Sequence, residues 1–110
     1  MTLLRLPITL TAIALLLAAC GSSDDRAFYR SVDALPLGMD ERDVIARLGP
    51  AQEAGREFRL GQREGFEAEY KAAAASRSQR YLFWNRSVDV VCAVGLDAQD
   101  RVAYRACGGT

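Results

Sequence analysis

Three cysteines, Cys20, Cys92 and Cys107, are the side chains with the widest chemical repertoire in this 110-residue chain, and it contains no histidine. A thiolate can serve as nucleophile, metal ligand or redox partner. Without an imidazole, however, the usual general base, the Ser-His and Cys-His dyads and most zinc sites are lost together. Cys92 and Cys107 lack the Cys-x-x-Cys spacing of redox catalysts. Glu64, Glu67 and Glu69 offer carboxylates, but Glu67 and Glu69 are two apart and diverge on a helix. Lys71 sits in an alanine-rich polar stretch, where nothing desolvates it. Asp97 and Asp100 read as turn formers. No catalytic residue, metal site or cofactor is expected, and the chain does not read as an enzyme. Tyr81, Phe83 and Trp84 read either as sheet core with an exposed tyrosine or as a stacking platform for a ligand.

Cys20 has a different logic. Arg5 is the only charge before Asp24, and Leu6 to Ala19 is almost wholly apolar. A short positive segment followed by an apolar run of about 14 residues has the form of a signal peptide, and it is short against the roughly 20 residues of a membrane span. Leu17-Ala18-Ala19-Cys20 resembles the acceptor site of a bacterial lipoprotein. That resemblance implies lipidation of Cys20 and cleavage before it, so residues 1–19 are a signal peptide and 20–34 a lipidated N-terminus and tether, partly helical. An ordinary secretory signal with a chance cysteine, or a short uncleaved anchor, is the alternative. Gly21 after the cysteine implies sorting to the periplasmic face of the outer membrane. Each buried methylene is worth about 0.8 kcal/mol, so the three acyl chains usual in that class hold a protein irreversibly.

The chain from position 20 onward is long enough for one small domain. Acidic and basic residues balance at 14 each, and Lys71 is the single lysine. Losing Arg5 tips the balance one charge to the negative side. A nucleic-acid partner is not expected, because such proteins carry a basic excess.

With Cys20 lipidated, Cys92 and Cys107 are left to pair in an oxidising compartment. Val88 to Leu96 and Arg101 to Cys107 read as strands, with turn chemistry in Asp97-Ala98-Gln99-Asp100. A two-residue loop at Gln99-Asp100 places Asp97 opposite Val102, Leu96 opposite Ala103, Val94 opposite Arg105 and Cys92 opposite Cys107, which predicts a cross-strand disulfide. A one-residue change of loop length puts the sulfurs on opposite faces and leaves two free thiols.

The most specific local signal is LPLGMDERDVIARLGP, residues 35–50. Asp40 is a good N-cap, Asp43 stands at the capping-box position, and Met39 and Val44 occupy the staple positions. Gly49 supplies a left-handed residue and Pro50 a stop, so a helix is predicted over 41–48. Eight residues are not helical alone in water, so Val44, Ile45 and Leu48 must pack on something. Asp25 to Leu35 is a second candidate helix, with Phe28 and Val32 on one face. Ala51 to Leu60 is a weak edge strand. Glu64 to Ser76 reads as a helix with Phe66, Tyr70 and Ala73 or Ala74 in line. Arg80 to Asn85 is a strand, and Asn85-Arg86-Ser87 a turn. The expected fold is α+β, with short helices packed on one face of a small antiparallel sheet ending in a three-stranded meander.

Across residues 35–110, Gly38-Met39, then Val44, then Leu48-Gly49-Pro50, then Trp84, then Gly95-Leu96-Asp97-x-x-Asp100-Arg101-Val102 resembles the SmpA/OmlA (BamE-like) family of small outer-membrane lipoproteins. The chain departs from that pattern at Asp100, where the family turn has glycine, and in the Phe66 to Ser76 helix, which looks like an insertion. The resemblance implies a lipid-anchored scaffold or accessory subunit, in outer-membrane protein assembly or envelope integrity, touching envelope or outer-membrane proteins. The other class open to this fold is a periplasmic binding module or inhibitor of a soluble envelope hydrolase. The loops at Leu60 to Gly65 and Asn85 to Ser87 are candidate binding surfaces.

Overall fold

The computed structural model describes residues 24–61, 63–87 and 90–108. Cys20, residues 1–19 expected as a signal peptide and the first residues of the expected tether lie outside them. Helix α1 (Asp24–Asp33) leads into α2 (Glu41–Leu48), then the short strand β1 (Glu53–Gly55), a 3-10 turn at Arg63–Gly65, α3 (Glu67–Ala75), and strands β2 (Arg80–Ser87), β3 (Val90–Leu96) and β4 (Val102–Gly108). The strands form one antiparallel sheet in the order β1-β2-β3-β4. The architecture is α+β, as expected from the sequence. Among the described residues, no helix is long and apolar enough to cross a membrane.

Strand alternation sorts the side chains of β2 onto two faces. Leu82 and Trp84 join Cys92, Val94, Leu96 and Val102 beneath α1 and α2, which contribute Phe28, Val32, Leu35, Val44 and Leu48. Val32, Leu35 and Val44 are fully buried, and each such side chain is worth about 1.5–3 kcal/mol. The helix read as part of a tether is therefore built into the core from Phe28 onward. Tyr81 and Phe83 point the other way, where they meet Ala93, Ala73 of α3, Phe58 and Tyr104. α3 thus lies across the face opposite α1 and α2 and gives the sheet a second, smaller layer.

Helix α2 has the predicted bounds, but its N-terminus is satisfied differently from a capping box. Asp40 holds the extended cap conformation, at φ −67° and ψ 144°, and its side chain makes no capping bond. Its backbone instead bridges to Arg101. Glu41 N–H donates to the Asp100 carbonyl at 2.9 Å, and Val102 N–H to the Met39 carbonyl at 2.9 Å. The hairpin supplies the acceptor that a capping side chain gives elsewhere.

At the other end, Gly49 has φ 83° and ψ 176°. This is a glycine-only conformation and differs from the left-handed helical one expected. Pro50 is the cause, because a residue before proline is pushed out of helical ψ into extended ψ.

The hairpin register is correct from Gly95 outward and shifted at the turn. Gly95 faces Tyr104, Val94 faces Arg105 and Cys92 faces Cys107, whereas Leu96 faces Val102 and not Ala103. Asp97 N–H donates to Arg101 O, so Asp97 faces Arg101 and not Val102. Asp100 adopts φ 59°, which makes the loop three residues with a bulge; aspartate tolerates that conformation better than most side chains. The Asp97 carboxylate accepts N–H bonds from Gln99 at 2.9 Å and Arg101 at 3.0 Å, fixing the turn.

Two other boundaries differ from expectation. Asn85, Arg86 and Ser87 belong to β2 and do not form a turn, and the edge strand shrinks to three residues.

Candidate functional site

The sequence motifs converge on the face covered by α1 and α2. Trp84 is 3% exposed, and its indole Nε1–H donates to the Gly49 carbonyl at 3.1 Å. This ties the end of α2 to the middle of β2. Phe28 leans on the Trp84 ring, with centroids 6.3 Å apart. Met39 packs against the core cluster to which Val44 belongs, while Gly38, at φ 88°, donates its N–H to Val102 O at 2.8 Å. Leu48 is buried and Pro50 exposed. Gly38, Met39, Asp40 and Asp97 thus lie where α2 begins against the β3–β4 turn, and Leu48, Gly49, Pro50 and Trp84 where it ends over β2, with Val44 in the core between them.

Cys92 and Cys107 are joined by a disulfide, with Cα atoms 4.0 Å apart. That spacing is nearer the ~4.5 Å of a non-hydrogen-bonded antiparallel pair than the ~5.5 Å of a hydrogen-bonded one. Cys92 is fully buried beside the α1–α2 core. Cys20, the lipidation candidate, lies outside the described residues.

One charged cluster escaped the sequence reading. Arg80, at the start of β2, donates to both carboxylate oxygens of Glu41 and, at 2.9 Å, to Asp100 Oδ1. These bonds to Glu41 and then Asp100 raise the guanidinium pKa against the opposing cost of burial. The three groups clip together β2, α2 and the β3–β4 turn. They are one-third or more exposed in Arg80 and Asp100, so the clip contributes no more than about 1 kcal/mol per pair.

The opposite face is aromatic. Phe58 sits edge-on to Tyr70, Tyr81 and Tyr104, with centroids 4.9, 5.5 and 5.6 Å away. Tyr81 and Tyr104 hydroxyls donate to the α3 carbonyls of Ala73 and Glu69, at 3.4 and 3.3 Å. Tyr81 and Phe83 are buried, so the aromatic group is core and not an open stacking platform. Gly95 makes room for this layer, since a Cβ there would stand 2.8 Å from Ser78 Cβ and 2.9 Å from Tyr81 Cε1. Leu60, at the head of one candidate loop, is also fully buried. Burial, and then the charge of Glu69, raise the Tyr104 pKa. At the sheet edge, the hydrogen bond from Arg59 holds the Glu53 carboxyl below the usual range.

Glu64, Glu67, Tyr70 and Lys71 line a shallow depression on α3, open to solvent and without a group positioned to activate a nucleophile. Among the described residues, no group of three or more Cys, Asp or Glu side chains could hold a metal ion. Comparison of the chain with family profiles, with curated proteins and with solved structures finds no match.

Proposed function

We propose that the chain is a lipid-anchored envelope protein that acts as a non-catalytic scaffold or accessory subunit at the periplasmic face of the outer membrane, in the manner of the SmpA/OmlA family it resembles. The observation that carries this reading is the pairing of Leu17-Ala18-Ala19-Cys20 with a domain that begins almost at once. At Asp24, four residues after Cys20, the chain is already in a helix whose Phe28 and Val32 are buried in the core. An acyl group at Cys20 therefore holds a folded domain close to the membrane, where it meets membrane proteins. The Cys92–Cys107 staple suits an oxidising compartment.

Crosslinking in intact cells, followed by detergent extraction and mass spectrometry of the captured proteins, tests the reading. Capture of integral outer-membrane or assembly proteins supports a scaffold. Exclusive capture of a soluble hydrolase, which the purified domain also binds without membrane, replaces it with the inhibitor class.

A further inference from the structure

The structure has a direction relative to its proposed anchor. Gly21, Ser22 and Ser23 alone separate Cys20 from Asp24, so the start of α1 lies within about 14 Å of the lipidated cysteine, at ~3.5 Å per residue. The first turns of α1 meet one end of the sheet. Asp25 Oδ1 is 3.9 Å from Arg86 Nε, and the Arg86 guanidinium lies 4.8 Å over the Phe28 ring. The last turn meets the middle of β4, where Arg105 Nε donates to the Asp33 carbonyl at 3.0 Å, and the segment after it reaches the other end, where Gly38 N–H donates to Val102 O at 2.8 Å. From Arg86 to Arg80, β2 covers roughly 20 Å, so the 97–100 turn lies beyond the reach of the tether.

We infer that the domain stands on the bilayer with the Arg86 end of the sheet against the lipid headgroups and the β3–β4 turn directed away from them. This rests on lipidation of Cys20. Leu37, a large apolar side chain that is 64% exposed, belongs to the segment between α1 and α2 at the far end. It is presented to the periplasm and to protein partners there.

The test uses the full chain, purified from membranes and returned to vesicles of phosphatidylethanolamine and phosphatidylglycerol that carry a headgroup nitroxide. Cys92 and Cys107 are bonded to each other and Cys20 is acylated, so one added cysteine takes a fluorophore selectively. Asn85→Cys reports the near end and Gln99→Cys the far end, with Ala27→Cys as a second near-end site should Asn85→Cys fail to fold. The expected result is several-fold stronger quenching at Asn85 or Ala27 than at Gln99. Equal quenching, or stronger quenching at Gln99 as when Leu37 enters the bilayer, overturns the orientation while an intact mass showing acyl chains leaves the anchor standing. An intact mass without acyl chains overturns both.

Discussion

The indole N–H of Trp84 donates to the carbonyl of Gly49 at 3.1 Å, so the residue that ends α2 is also the acceptor that seats the central aromatic of β2. A buried indole needs a partner for its single donor, and a helix end needs a partner for its last carbonyls. Replacing Trp84 by Phe keeps an aromatic ring but leaves that carbonyl without its donor and opens a small void. A loss of about 1–3 kcal/mol is expected, read as a drop in urea midpoint with an unchanged slope.

Gly49 is the more sensitive partner. Its φ of 83° combined with ψ of 176° is closed to side chains, although a Cβ would meet no neighbour within 4 Å. The cost of Gly49→Val is therefore backbone strain and not collision, about 1–3 kcal/mol. Gly65→Ala is the control, since that glycine also has open space and no positive φ. Thermal melts should separate the two clearly, and equal melting temperatures would count against the assigned conformation.

Much of the fold is legible in the sequence because its signals are local. Asp40, Gly49 and Pro50 bracket α2 within ten residues, and two cysteines in valine-rich strands imply their own register. The turn reads one residue short because Asp100 conceals a left-handed position that glycine would have advertised. Asn85-Arg86-Ser87 has the composition of a turn, but Arg86 is held in the strand by Phe28 and Asp25, both far away in sequence. Tyr70, Ala73, Tyr81 and Phe83 are readable from helix and strand period, but Phe58 and Leu60 stand singly among charged residues and carry no period, so the piece at the centre of the aromatic layer leaves no pattern. The Arg80 clip joins residues 39 apart in sequence, and no spacing rule connects them.

Alkaline pH should loosen the aromatic layer. The Tyr104 pKa in the folded protein is raised above the ordinary value near 10, chiefly by burial and then by Glu69. A raised folded pKa means stability that is fully present below the unfolded pKa and is lost as pH rises through the folded one. Stability should therefore fall above about pH 10, and Tyr104→Phe should flatten that fall. An unchanged slope in the variant, measured by denaturation at several alkaline pH values, would remove Tyr104 as its source.

The Cys92–Cys107 bridge closes a loop of 15 residues in a hairpin that is already restrained by its turn. Replacing both cysteines by serine should cost roughly 2–4 kcal/mol, toward the lower end for that reason. Protein recovered from an oxidising compartment should give one linked peptide pair under non-reducing digestion. Alkylation of both thiols without reductant would contradict the bridge.

Lipidation of Cys20 is the claim on which the proposed function depends. Metabolic labelling with a clickable fatty acid, combined with membrane fractionation of the wild-type chain and of Cys20→Ala, tests it most directly. The wild type should be labelled and membrane-bound, and the variant unlabelled and released on membrane washing while its Cys92–Cys107 bridge remains. Lipid label that persists in Cys20→Ala, or a wild-type chain that never takes label, would contradict it.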